Sequence, residues 1–156
     1  MIGSMQRTAA PTGYNDDFSR WAEEQAAALR DGRFPDLDLP NLLEELDDLS
    51  QSERRELLSR WTTLTVHLLK LRYQPERASG SWRGTIIEQA TRKRRVLQGS
   101  PSLRPEMPGF AAEAYIDARP QAAAETELPI AKFPESPTSE FERALQAALA
   151  GDDFEF

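Results

Sequence analysis

The chain has 156 residues, 19 Lys and Arg against 26 Asp and Glu, a net charge of −7 and no cysteine. That length suits one domain with a true core, and the missing cysteines exclude disulfides, thiol catalysis and cysteine-ligated zinc. No apolar run reaches the roughly 18 residues of a membrane span, and the start lacks the apolar segment of a secretory signal, so a cytoplasmic location is expected.

The charge is unevenly placed. Residues 1–50 hold 4 basic and 11 acidic side chains, residues 51–105 hold 12 and 4, and residues 106–156 hold 3 and 11. Mutual neutralisation of the thirds is the simplest reading, and the overall acidity disfavours nucleic acid as a partner.

Residues 1–13 show no periodicity and read as a disordered leader, with Met5 a candidate initiator beside Met1. Asn15 or Asp16 is placed to cap a first helix along which Phe18, Trp21, Ala22, Gln25 and Leu29 share a face, with Gly32 as its left-handed stop. Asp38 or Asn41 begins a second helix, with Pro40 in its first turn. Leu39, Leu42, Leu43, Leu46 and Leu49 form its apolar face, and Glu45 lies on the flank of that stripe. Ser50-Gln51-Ser52-Glu53 has capping-box spacing, which favours a break and a new helix over one continuous helix from 40 to 73.

The segment Leu57–Gln74 is the expected centre of the fold. Leu57, Trp61, Leu64, Leu68 and Leu71 form one seam, and Leu58, Val66, Leu69 and Tyr73 make the helix apolar most of the way round. Glu56, Thr63, His67, Lys70 and Gln74 share one narrow polar sector, which holds the chain's single histidine. Pro75 ends this helix.

Ser79 or Ser81 caps the next helix, with Trp82, Ile86, Ile87, Ala90 and Leu97 inward and Gly99 as its stop, and Ser100-Pro101 opens a short turn. Phe110, Ala114, Tyr115 and Ala118 mark a fifth helix that Pro120 ends or kinks. Residues 121–137 read as an irregular crossing, Ser139 with Glu142 starts a last helix, and Gly151 closes it before a flexible tail over 151–156. No stretch alternates with period two. The expectation is an all-α protein: a compact up-and-down-like bundle of about five to six helices with its central helix near 53–73, formed by a single domain over 14–150.

An ordered set of short motifs runs through the chain. Tyr14-x-x-Asp17-Phe18-x-x-Trp21, Leu29-Arg30-x-Gly32, Asp38-Leu39-x-Asn41-Leu42 and Glu44-Glu45-Leu46 come first. Ser52-Glu53-Arg54-Arg55-Glu56-Leu57, His67-Leu68-Leu69-Lys70, Tyr73-Gln74-Pro75-Glu76-Arg77 and Ser81-Trp82 follow. Ser100-Pro101-Ser102-Leu103-Arg104-Pro105, Ala114-Tyr115-x-x-Ala118-Arg119 and Phe133-Pro134-Glu135 complete the set. From about Tyr14 to Leu149 the chain resembles the bacterial family called "domain of unknown function twenty-nine". The resemblance implies a compact helical bundle and supplies no activity. Leu71 stands where that family tends to have tryptophan, Ser136 where cysteine often precedes the proline, and Ala90 where arginine is frequent.

Three groups of residues carry candidate chemistry. Glu45, His67 and Lys70 make an acid–base set if the second and third helices pack leucine face to leucine face; the alternative is a buried polar network that fixes helix register. Gln74, Arg77, Trp82, Tyr115 and Arg119 are binding candidates near a helix junction. Arg92, Lys93, Arg94 and Arg95 are the nucleic-acid candidates, with Arg92 and Arg95 outward and Lys93 and Arg94 bordering the apolar face. No metal site and no cofactor are expected, and nucleotide and nucleophile-elbow motifs are absent. The reading ranks a protein-binding module first, an enzyme or ligand binder with a Glu/His/Lys crevice second, and a nucleic-acid adaptor through residues 83–95 last. It leaves the oligomeric state open.

Overall fold

A computed structural model describes residues 10–156; the leader expected over 1–13 lies mostly outside the described residues, as does Met5. Among the described residues there are five α-helices: α1 (Phe18–Arg30), α2 (Leu39–Tyr73), α3 (Gly80–Gly99), α4 (Met107–Thr126) and α5 (Ser139–Ala150). Short 3-10 segments join them, and no strand occurs among the described residues. The all-α fold is as expected. The chain gathers into two compact units, one up to Ser50 and one over Gln51–Phe156.

The expected break near Ser50 does not occur. α2 is one helix of 35 residues. Between Pro40 and Pro75 there is neither glycine nor proline, so nothing interrupts the backbone ladder and the capping-box residues stay helical.

In the first unit α1 runs antiparallel to the start of α2. Asp17, one or two residues later than expected, caps α1 by accepting from the Arg20 amide at 3.0 Å. Gly32, at φ 68°, closes it: the Gly32 amide donates to the Leu29 carbonyl at 3.2 Å and the Arg33 amide to the Ala28 carbonyl at 2.9 Å. Trp21 Nε1 donates to Asp38 Oδ2 at 3.1 Å, and Gln25 Oε1 accepts from the Asp38 amide at 2.7 Å. Asp38 also takes Asn41 Nδ2 at 2.7 Å, so one carboxylate fixes both the buried indole and the first turn of α2. Hydrogen bonds from Asn41 and Trp21 hold that carboxyl below its ordinary value against the opposing effect of burial. Thr12, inside the expected leader, is anchored: its amide and hydroxyl donate to Glu24 at 2.8 and 2.9 Å.

The leucine stripe of α2 departs from expectation. Leu42 is half-buried, but Leu39, Leu43, Leu46 and Leu49 are between 56% and 65% exposed. Phe18 and Leu29 of α1 are also half exposed, so only Trp21, Gln25 and Ala28 form that helix's buried line.

In the second unit the C-terminal half of α2 is the centre, as its periodicity implies. Leu57, Leu64, Val66, Leu68 and Leu69 are fully buried. Ile86 and Ala90 of α3, Ala114, Ala118 and Ala122 of α4, and Phe141 and Leu145 of α5 cover the last four, together with Phe133, while Leu57 packs with Leu97 of α3 and Leu103. Ile87 faces solvent, one position round from the buried line of α3. α4 continues six residues past Pro120 to Thr126, since the proline sits on the exposed face. The expected irregular crossing therefore begins only at Glu127, which takes the left-handed conformation. Thr138, not Ser139, caps α5 by accepting from the Phe141 amide at 3.2 Å. The expected flexible tail folds back: Phe154 is buried, its carbonyl accepts from Arg83 at 3.3 Å, and Phe156 stacks on Phe141.

The α5 stop has a partner from α3. Gly151 is at φ 88°, and Arg94 Nη1 donates to the Leu149 carbonyl at 2.9 Å, one of the carbonyls the helix end leaves unpaired. A Cβ at Gly151 would lie 3.3 Å from that guanidinium nitrogen, whereas a Cβ at Gly32 meets nothing within 4 Å. Gly32→Ala is expected to cost about 1 kcal/mol of backbone strain alone, and Gly151→Ala more, because the arginine must also move. Chemical denaturation of both variants checks the order; equal losses would refute the Arg94 contact as a cause.

Candidate functional site

The polar sector of α2 is built within the second unit. Lys70 is only 8% exposed, and its Nζ donates to Glu125 Oε2 of α4 at 2.8 Å. The same ammonium lies 4.4 Å from the centre of the Trp82 ring. Glu125 Oε1 accepts from Gln121 Nε2 at 3.0 Å. Partial burial pushes the Glu125 carboxyl up, but hydrogen bonds from Lys70 and Gln121, with the positive field of Lys70 and His67, outweigh it and bring it below its ordinary value. His67 is half-buried, with Nδ1 2.9 Å from the Thr63 carbonyl. A carbonyl only accepts, so Nδ1 carries the proton and Nε2 is the basic nitrogen of the neutral ring.

Glu45 does not join this set. It belongs to the first unit. Its carboxylate accepts from the Tyr14 hydroxyl in the first unit. That bond, with burial and the negative charge of Glu45, Glu44 and Asp48, pushes the Tyr14 hydroxyl up to about 12. The leucine-to-leucine packing that would bring Glu45 to His67 requires two helices where there is one. The carboxylate that meets Lys70 is Glu125, in a stretch that reads as irregular because Pro120 reads as a stop. The Gln121-x-x-x-Glu125 spacing is the one helical signal that points to it.

Most of the junction residues hold the α4–α5 connection. Gln74, buried, donates through Nε2 to the Thr126 carbonyl at 3.1 Å. The Tyr115 hydroxyl donates to the Pro134 carbonyl at 2.9 Å, and Arg119 Nε to the Phe133 carbonyl at 2.9 Å. Trp82 supports Lys70, and Arg77 is exposed in the turn after α2. The basic run of α3 is divided in the way its periodicity implies. Arg92 points outward and pairs with Glu88 at 2.8 Å, and Arg95 is exposed. Arg94 turns inward to α5, and Lys93 is 7% exposed with Nζ 3.7 Å from the centre of the Trp61 ring. Burial, helped by the charge of Arg94, pushes Lys93 down to about 8. Four adjacent cations thus leave two on the surface, one of them paired.

An exposed apolar feature lies in the first unit. α1 meets α2 along Trp21, Gln25 and Ala28, and α2 meets α1 along half-buried Asn41, Leu42 and Glu45. Turning in the same sense from its contact line, each helix next presents apolar residues: Phe18, Ala22, Ala26 and Leu29 on α1, and Leu39, Leu43, Leu46 and Leu49 on α2. Because the helices are antiparallel, both rows open to one side of the hairpin. A shallow groove of about 410 Å³ on the α1 side is lined by Phe18, Ser19, Ala22, Glu23, Ala26 and Arg30. A second cavity of about 860 Å³, between Trp21, Arg33 and Leu37, is lined by charges already tied to one another, Arg33 to Asp36 and Glu24 to Thr12. The sequence marks the leucines as apolar but not as bare, since periodicity gives a face and not what covers it. Among the described residues no three of His, Asp and Glu converge as metal ligands would.

The model of a family described as "Domain of unknown function DUF29" matches residues 14–149. No curated protein and no solved structure matches the chain.

Two outcomes follow from the buried lysines. Glu125→Gln is expected to cost more stability, about 1–3 kcal/mol, than Lys70→Met. The first leaves a buried ammonium without its anion, while the second leaves a carboxylate more than a third exposed that water can solvate. Thermal unfolding of both variants gives the order, and a larger loss for Lys70→Met would contradict it. Lys93 has a lower value folded than unfolded, so between about pH 8 and the ordinary lysine value of about 10.4 the unfolded chain binds more protons. Stability should therefore rise with pH across that window. Lys93→Met should flatten the rise and stabilise the protein at pH 7; an unchanged pH profile would remove Lys93 as its source.

Proposed function

Since the chain belongs to the DUF29 family, whose description assigns no activity, we propose that it is a protein-binding module whose docking surface is the bare apolar side of the α1–α2 hairpin. The observation that carries this reading is the row of four leucines, each more than half exposed on one face of a single helix. Phe18 and Leu29 extend it onto α1. Contiguous apolar surface of this kind is the ordinary mark of an interaction site. Burying each leucine is worth roughly 1.5–3 kcal/mol before the costs of association, so four of them suffice to hold a partner.

No described helix is long and apolar enough to cross a membrane, and our reading is of a cytoplasmic bacterial protein. A second reading is a small-ligand or acid–base site at His67, Lys70 and Glu125. It is favoured by the convergence of an imidazole, an ammonium and a carboxylate beside Trp82. It ranks lower because Lys70 and Glu125 already neutralise each other and His67 Nδ1 is bound to its own helix. Nucleic-acid binding through residues 83–95 ranks last, given the inward Lys93 and Arg94.

The double substitution Leu43→Asp with Leu46→Asp tests the docking surface. Both side chains are exposed, so folding stability should change by less than about 1 kcal/mol. A library of displayed helical peptides selected on the native protein should yield binders that the double variant does not retain. Peptides that hold both proteins equally, or no enrichment at all, would count against the surface.

A further inference from the structure

The geometry points to a recognition site for a Phe-x-Phe segment of another protein, built by α2, α3 and α5 of the second unit, which Phe154 and Phe156 of this chain fill as an intramolecular competitor. It does not depend on the docking surface proposed above.

After Gly151, at φ 88°, the chain leaves α5 and returns along it. The Asp152 amide still donates to the Ala147 carbonyl at 2.9 Å; beyond it, among the described residues, Asp153 to Phe156 make no backbone–backbone hydrogen bond. Two rings seat the segment, with Glu155 exposed between them. Phe154 is 5% exposed, and Arg83 of α3 holds it twice. The guanidinium carbon lies 5.2 Å from the ring centre, and Nη1 donates to the Phe154 carbonyl at 3.3 Å. Phe156 stacks on Phe141 of α5, centres 6.2 Å apart and planes at 25°, and the Arg72 guanidinium of α2 lies 5.9 Å from its centre.

The walls of this site are joined to one another without the segment. Arg72 pairs with Glu140 at 2.9 Å, Arg94 binds the Leu149 carbonyl, and Phe141 meets Tyr115 edge to face. Withdrawing the two rings therefore leaves a slot on a bundle whose helices are still tied. The contacts are also those by which a short segment is recognised: side chains in pockets at alternate positions and a carbonyl taken by a side chain, with no helix or sheet in between. Guanidinium groups over ring faces, and a ring stacked on Phe141, favour aromatic over aliphatic occupants. That sets the class of partner. A segment tethered this closely meets its site at roughly millimolar effective concentration. Seated about nine-tenths of the time, it weakens an identical outside segment about tenfold.

The test measures fluorescence anisotropy of a labelled peptide with the sequence Asp152–Phe156 on the full chain and on a chain ending at Gly151. The shortened chain should keep its helical circular dichroism and bind at least tenfold more tightly than the full chain. A peptide carrying Phe154→Leu and Phe156→Leu should bind more weakly, and Arg83→Gln in the shortened chain should narrow that difference. Equal binding by the two chains, no binding by either, or no preference for phenylalanine would overturn the inference. Should the shortened chain fail to fold, full-length Phe154→Ala, Phe156→Ala takes its place in the comparison; loss of helical signal in both would make the rings core and overturn it too. A concentration-dependent dimer of the full chain that this double variant dissolves would overturn it in favour of exchange between two copies.

Discussion

The uninterrupted backbone of α2 is the constraint from which the other features follow. With no glycine or proline between Pro40 and Pro75, the hydrogen-bond ladder has no weak point, and local capping signals at Ser50–Glu53 have nothing to terminate. The residues of α2 therefore serve two different environments. In the second unit it is surrounded by α3, α4 and α5 and buries leucine after leucine. In the first it meets α1 on one side only and leaves its leucine row bare. The same pattern of residues is core in one half and surface in the other.

The two lysines that enter the second unit's interior show how a helical core tolerates cations. Each lies against the face of a tryptophan, Lys70 on Trp82 and Lys93 on Trp61. The ring supplies part of the lost hydration. Lys70 also has Glu125, whereas Lys93 pairs with no carboxylate among the described residues and is held well below the usual lysine range. Trp61 Nε1 is itself buried without a hydrogen-bond partner among the described residues.

The uneven charge of the three thirds resolves largely by pairing inside the second unit. Arg54 binds Glu106, Lys70 binds Glu125 and Arg72 binds Glu140, each joining the basic middle to the acidic end. Arg94 satisfies carbonyls of α5 in place of an anion. Exposed pairs of this kind contribute little stability each.

Periodicity alone determined that this protein is all-helical, that Leu57–Tyr73 is its most enclosed segment, that Gly32 and Gly151 end helices, and that Lys93 and Arg94 turn inward from a basic run. These are properties of a 3.6-residue repeat and of the glycine backbone, and they are written locally. Tertiary structure decided the rest. Glu125 meets Lys70 because α4 passes through Pro120 on its solvent side, a placement no window around the proline reveals. Glu45 is given to Tyr14 because α1 folds back along α2. The leucines at 39, 43, 46 and 49 are bare because nothing in the described chain covers them: a sequence states which side of a helix is apolar, while only the arrangement of the other helices states whether that side is filled.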